Sequence, residues 1–231
     1  MALPLAIFVF VVEPAMGFLG PSSSQKATSM TERSLWYDRA INTSPAGRHY
    51  RRSYMAWETG TALWYATPQT LGSSASDAQR EITLSQTALL DTIARTDNDL
   101  RAHLTLARLY QVESRLWRDD ALQDARSTLE RAVELNPRNP QPLWALTSVM
   151  LEQGDADAAL AIVSRAYELN PDDRQAHIAR AAAAAYISNR DLLQTFVDES
   201  FTHFPDLSPM LAPVLTADPI TQRLQLLAIF Y

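Results

Sequence analysis

Seven residues, Arg131-Ala-Val-Glu-Leu-Asn-Pro137, return as Arg165-Ala-Tyr-Glu-Leu-Asn-Pro171, an offset of 34 positions with six of the seven identical. A period of that length restricts the chain to architectures in which one small supersecondary unit stacks on the next, each covering the apolar face its neighbour leaves open. Weaker copies extend the pattern. Glu199-Ser-Phe-Thr-His-Phe-Pro205 keeps the proline and the apolar or aromatic positions another 34 residues on, and Arg39-Ala-Ile-Asn-Thr-Ser-Pro45 keeps the alanine-to-proline spacing. Thr92-Ile-Ala-Arg-Thr-Asp97 is a degenerate copy that ends in Asp. Helix ends are therefore expected at 45, 97, 137, 171 and 205.

The physics inside the best unit is readable residue by residue. Leu143, Leu146 and Met150 follow the three-and-four spacing that gives a first helix one packing face. Gly154 and Asp155 end that helix where the chain turns, Ala159 and Ala166 are small where two helix backbones approach, and Pro171 stops the second helix. Leu143, Leu146, Thr147, Met150, Gly154, Ala159, Val163, Ala166 and Pro171 fall on the consensus positions of the tetratricopeptide repeat, and the chain resembles that family. The resemblance implies an all-α fold, a right-handed superhelical solenoid of antiparallel helix pairs, with repeats at 98–137, 138–171 and 172–205 and divergent helices of the same type over 31–97. Three departures stand out. Six extra residues between Tyr110 and Ala125 lengthen the helices of the first of these repeats, Arg180 takes an expected leucine position, and Ser188 takes an expected glycine. The interval from 45 to 97 predicts a long helix pair, roughly 48–65 and 76–94, joined by Thr67 to Ser74.

In such a fold the first helix of each pair lines a concave, partner-binding face. By position in the repeat this chain presents Arg101, Leu104, Arg108 and Gln111, then Gln141, Trp144, Ser148 and Leu151, then Gln175, Ile178, Ala182 and Tyr186. Trp144 and Tyr186 are the expected anchors for a protein or extended peptide, because large aromatics dominate interface energetics. The competing reading packs Trp144 against the neighbouring repeat. Family members that grip chaperone tails use a lysine and asparagine clamp; Trp144 and Ser148 stand at those places, which argues against that role.

Composition narrows the chemistry. A net charge of −6 with pI near 5.2 lacks the concentrated basic surface that nucleic acid requires. With no cysteine there is no disulfide framework, thiolate metal site, cysteine nucleophile or lipidated thiol. Only 6 glycines disfavour barrels, sandwiches and phosphate-cradling loops. His103 and His177 share the repeat position of Leu143, and His203 that of Leu135 and Leu169, so all three read as packing residues. His49 lies beside Arg48, Arg51 and Arg52, a cluster equally suited to an anionic headgroup or to a solvated helix start. No nucleophile elbow, phosphate loop or paired-carboxylate signature is present, and the reading is a non-catalytic chain without cofactor or metal.

The two ends are apolar. Residues Ala2 to Val12 form an uninterrupted run, but as a helix it spans about 16 Å, half of a bilayer core of about 30 Å. Continued through Leu19 it carries Glu13 and Pro14, at a cost near about 3 kcal/mol for the carboxylate. Residues 1–20 are read as a membrane-anchoring or signal-like segment, with a buried N-terminal element as the alternative, followed by a polar linker at 21–30. Six basic against two acidic residues between 21 and 55 would hold this flank in the cytoplasm, yet large domains translocate regardless of charge. A single N-terminal anchor with extracytoplasmic, periplasmic repeats is the expectation, in a scaffold for a cell-envelope complex. A weaker resemblance, carried by Ala102-His-Leu-Thr-Leu-Ala-Arg-Leu-Tyr110 and the preceding apolar segment, is to the C-terminal repeat extension of bacterial O-antigen ligase or polymerase-type membrane proteins. It implies an accessory or truncated part beside a multispanning membrane protein. Residues 206–231 are expected to cap the last helix pair or dock into a partner.

Overall fold

The computed structural model describes residues 48–218 and 221, with side chains described from residue 53. The apolar segment 1–20, the linker 21–30, the repeat end at 45, the basic cluster around His49 and the last part of the tail therefore lie outside what is described. Among the described residues every regular element is helical. None of these helices is long and apolar enough to cross a membrane. The chain divides between Ala125 and Arg126 into two compact units.

The first unit holds α1 (Arg48–Ala62), α2 (Pro68–Leu71), a 3-10 turn at Gly72–Ser74, α3 (Ala75–Arg95), α4 (Leu100–Leu116) and the first turn of α5 (Ala121–Leu135). Helices α1, α3 and α4 pack on one another around Ala56, Leu63, Trp64, Ala78, Ile82, Leu89, Leu106, Leu109 and Val112. At Gly60 a side chain would meet Leu109 Cδ2 at 3.4 Å and the Arg108 stem at 3.8 Å, so α1 and α4 approach closely here. The expected first helix ends earlier than Tyr65. Leu63 to Ala66 form turns instead, and Thr67 caps α2 with a reciprocal box in which Thr70 returns the bond. The insertion before Ala125 lengthens α4 to 17 residues and is closed by Arg118, which donates to Glu113 at 3.1 Å and to Asp124 at 2.7 Å.

The second unit continues α5 and adds α6 (Pro140–Glu152), α7 (Ala156–Leu169), α8 (Arg174–Tyr186), α9 (Arg190–His203), a 3-10 turn at Pro205–Leu207 and α10 (Ser208–Thr216). Successive helices pack as α6 on α7, α7 on α8 and α8 on α9, while α6 also meets α8 directly. Helix starts are closed alike: Asp99, Asn139, Asp173 and Asn189 each accept a backbone N–H of the first turn of α4, α6, α8 and α9. Each such cap contributes about 1 kcal/mol. Helix ends fall two residues short of the expected positions, at Arg95, Leu135, Leu169 and His203. Asn170, before Pro171, leaves the helical region at φ −151°, ψ 84°, a departure that a following proline favours.

The turn after α6 is a Schellman closure: Gly154 donates to Leu151 O, Asp155 donates to Met150 O, and Gly154 sits at φ +80°. One period later the same two bonds run from Ser188 to Ala185 O and from Asn189 to Ala184 O, with Ser188 at φ +57°. The missing glycine therefore leaves the turn intact and puts a non-glycine residue in the left-handed region. Beyond α9, Leu207, Leu211 and Val214 are fully buried and α10 lies against α9.

Candidate functional site

On α4, Arg101 is exposed, Leu104 and Arg108 are half-buried, and Gln111 is buried. On α6, Gln141 is exposed and Trp144 half-buried, but Ser148 and Leu151 are buried at 3% and 1%. On α8, Gln175 and Tyr186 are half-buried, whereas Ile178 and Ala182 are buried. Gln111, Ser148, Leu151, Ile178 and Ala182, expected on the binding face, are therefore buried in the free chain. In the second unit the physical reason is the direct contact of α6 with α8, which closes the seam between successive first helices. Trp144 is half in solvent, with its indole nitrogen buried and without an acceptor among the described residues.

The first unit holds a constellation of which only Arg108 was expected. Trp64, 5% exposed, has the Arg108 guanidinium carbon 4.5 Å and the Arg115 guanidinium carbon 4.0 Å from its ring centroid. Arg115 Nε donates to Gln111 O at 3.2 Å, and Arg108 Nε is buried with no acceptor among the described residues. Among those residues neither guanidinium meets a carboxylate. Burial lowers the Arg108 pKa from its ordinary value, the Arg115 charge lowers it further, and the nearby Tyr65 phenol opposes them. Tyr65 itself is 80% exposed. The legible signal was spacing: Arg101, Arg108 and Arg115 recur every seven residues, two turns apart on one helix face, and the lengthened α4 carries the third of them.

In the second unit Arg180, at the expected leucine position, lies 3.9 Å from the ring centroids of both Tyr167 and Phe196 and donates to Glu199 at 2.8 Å. Beside it His177 stacks edge-on against Tyr167 and Phe204, with His203 5.0 Å away. His177 Nε2 donates to Pro171 O at 2.9 Å, and His103 Nε2 donates to Asp97 O at 2.7 Å, the same bond at the equivalent place two repeats earlier. Where Leu143 stands, the equivalent carbonyl of Pro137 accepts from Arg165 at 3.1 Å instead. Among the described residues no cluster of His, Asp and Glu is placed to hold a metal ion.

A tetratricopeptide repeat family model matches residues 116–183. Among solved structures, TTC0263, a thermophilic TPR protein in Thermus thermophilus, aligns with a TM-score of 0.58 at 19% identity, covering 89% of this chain and 100% of that one. MamA aligns with a TM-score of 0.50 at 15% identity, over 67% of this chain and 87% of that one. Comparison with curated protein sequences finds no match. The fold is a tetratricopeptide-repeat fold. The matched segment runs from the end of α4 to within α8, so the repeat signature is strongest where the seam residues Leu143, Val149, Ala159, Val163 and Ala166 are fully buried. The resemblance to O-antigen ligase and polymerase extensions gains no support from either likeness.

His177 is expected to make the second unit sensitive to acid. Burial holds its pKa below the ordinary 6.5; the Pro171 bond opposes that, and His203 and Arg180 add to it. The unfolded chain then binds more protons as pH falls below about 6.5, so the stability that His177 contributes is present above that value and lost below it. Urea unfolding at about pH 7.5 and about pH 5 is expected to show a steeper acid loss for the wild type than for His177→Leu. Equal losses would assign the acid sensitivity elsewhere.

Proposed function

We propose that this chain is a protein-interaction scaffold that captures a protein or an extended peptide on the first-helix face of its repeats. The observation that carries the reading is on the two packed helices α6 and α8: Trp144 and Tyr186 stay partly in solvent while Ser148, Leu151, Ile178 and Ala182 are buried. Aromatic side chains have few rotatable bonds and so lose little entropy on binding. A membrane tether through residues 1–20, and from it a role in assembling an envelope complex on the periplasmic side, completes the proposal on the strength of the apolar run from Ala2 to Val12.

The test is co-purification from cells that make the full chain, wild type against the Trp144→Ala/Tyr186→Ala double variant. Two lost anchors should weaken partner recovery about tenfold or more while far-ultraviolet circular dichroism stays unchanged. Equal recovery of every partner would remove this face from the reading. Membrane fractionation with intact-mass measurement on the same cells checks the tether, which fails if the uncleaved chain is found entirely in the soluble fraction.

A further inference from the structure

Two cations that share an aromatic ring and have no counter-charge among the described residues are an unusual thing to build into a folded chain. The Arg108 and Arg115 guanidiniums lie 4.5 and 4.0 Å from the centre of the same indole, close enough to each other for the Arg115 charge to act on Arg108, and neither is neutralised by a described carboxylate. The arrangement is fixed from below. The Arg108 stem passes Gly60 at ordinary contact distance, 3.8 Å from where a side-chain carbon would stand, and Arg115 is tied through Nε to Gln111 O. Guanidinium N–H groups not used in these contacts are donors of the kind that holds a planar carboxylate with two bonds. Tyr65 is exposed and its phenol lies close enough to act on the Arg108 charge.

We infer that Arg108 and Arg115, held against Trp64, form a binding subsite for the carboxylate of an acidic side chain, aspartate or glutamate, in a bound peptide. The inference rests on the peptide-capture reading and names the ligand chemistry for the first unit. Cation–ring contacts stiffen both arginines, so the ligand meets donors already positioned, and an incoming carboxylate relieves the repulsion between the two charges.

The experiment is fluorescence anisotropy on the full chain with a labelled decapeptide of alternating Glu and Ala, its Gln-for-Glu counterpart, and inorganic phosphate as competitor. The wild type is expected to bind the acidic peptide at least about tenfold more tightly than the neutral one, with the preference shrinking at high salt. Arg108→Gln/Arg115→Gln should abolish that preference. Should the double variant lose its cooperative unfolding, the exposed Arg115→Gln alone carries the test, with an expected loss of about fivefold or more. Equal binding of acidic and neutral peptides by the wild type, or an unchanged preference in the variants, overturns the subsite; so does phosphate binding more tightly than the acidic peptide, which assigns the pair to a phosphate group. Failure here with Trp144- and Tyr186-dependent capture intact removes only the carboxylate subsite. Loss of that capture with the acidic preference intact removes the aromatic face of the second unit.

Discussion

Arg180→Ala is expected to destabilise the second unit by about 3 kcal/mol, a large share of what holds a domain of this size together. The side chain is 12% exposed and lies between α7 and α9, with its guanidinium against two rings and one oxygen of Glu199. Alanine removes the stem that fills this space, two cation–ring contacts and the charge that faces Glu199. Arg180→Leu separates those contributions. Leucine refills the apolar volume, and Glu199, 39% exposed, recovers water, so its cost should stay near or below about 1 kcal/mol. Urea midpoints of the three proteins decide it: a leucine variant as weak as the alanine one would mean that the ion pair, not the packing, holds α8 to its neighbours.

Ala183→Leu should cost about as much by the opposite route. Helix α8 touches α6, α7 and α9, and its alanines from Ala181 to Ala185 are all buried. A buried helix packed from several sides has no direction in which three extra carbons fit without moving a backbone, and overpacking of this kind costs about 1–3 kcal/mol. Ala185→Val is the matched control, because Ala185 borders a cavity of about 140 Å³ with Ala184, Ser188, Asn189, Arg190, Leu193 and Ala217. A thermal melt should show a clear loss for Ala183→Leu and little change for Ala185→Val. Comparable losses in both would show that the cavity walls do not yield.

The 34-residue period made the second unit legible because its helix starts, turns and seam positions are local in sequence. Gly154, Ala159 and Ala166 do in space what their spacing says. What the period concealed is whatever depends on who packs against whom. Ser148, Leu151, Ile178 and Ala182 occupy a nominal binding face and are buried, since α6 and α8 meet. Arg180 read as a departure from leucine, and only the approach of Tyr167 and Phe196 from two other helices turns a charged residue into a packing one. In the first unit the period is interrupted, so the turns over 63–67 and the short helix after them had no template. The arginines at 101, 108 and 115 were visible as a row; that two of them share Trp64 was not, because the tryptophan comes from an element about fifty residues earlier.

The junction hydrogen bonds carry a consequence for how such a chain changes length. The carbonyls of Asp97, Pro137 and Pro171 are satisfied by His103, Arg165 and His177, two different chemistries at three equivalent places. In every case the donor belongs to the repeat that follows the carbonyl, so each repeat brings the group that finishes its predecessor. Excising 138–171 would remove one such acceptor together with one such donor, and His177 would then follow Pro137 at the spacing it now keeps from Pro171. Whole repeats can be gained or lost without stranding a carbonyl, and the residue that closes each joint is free to differ from copy to copy. Divergence between copies and tolerance to duplication have the same structural origin here.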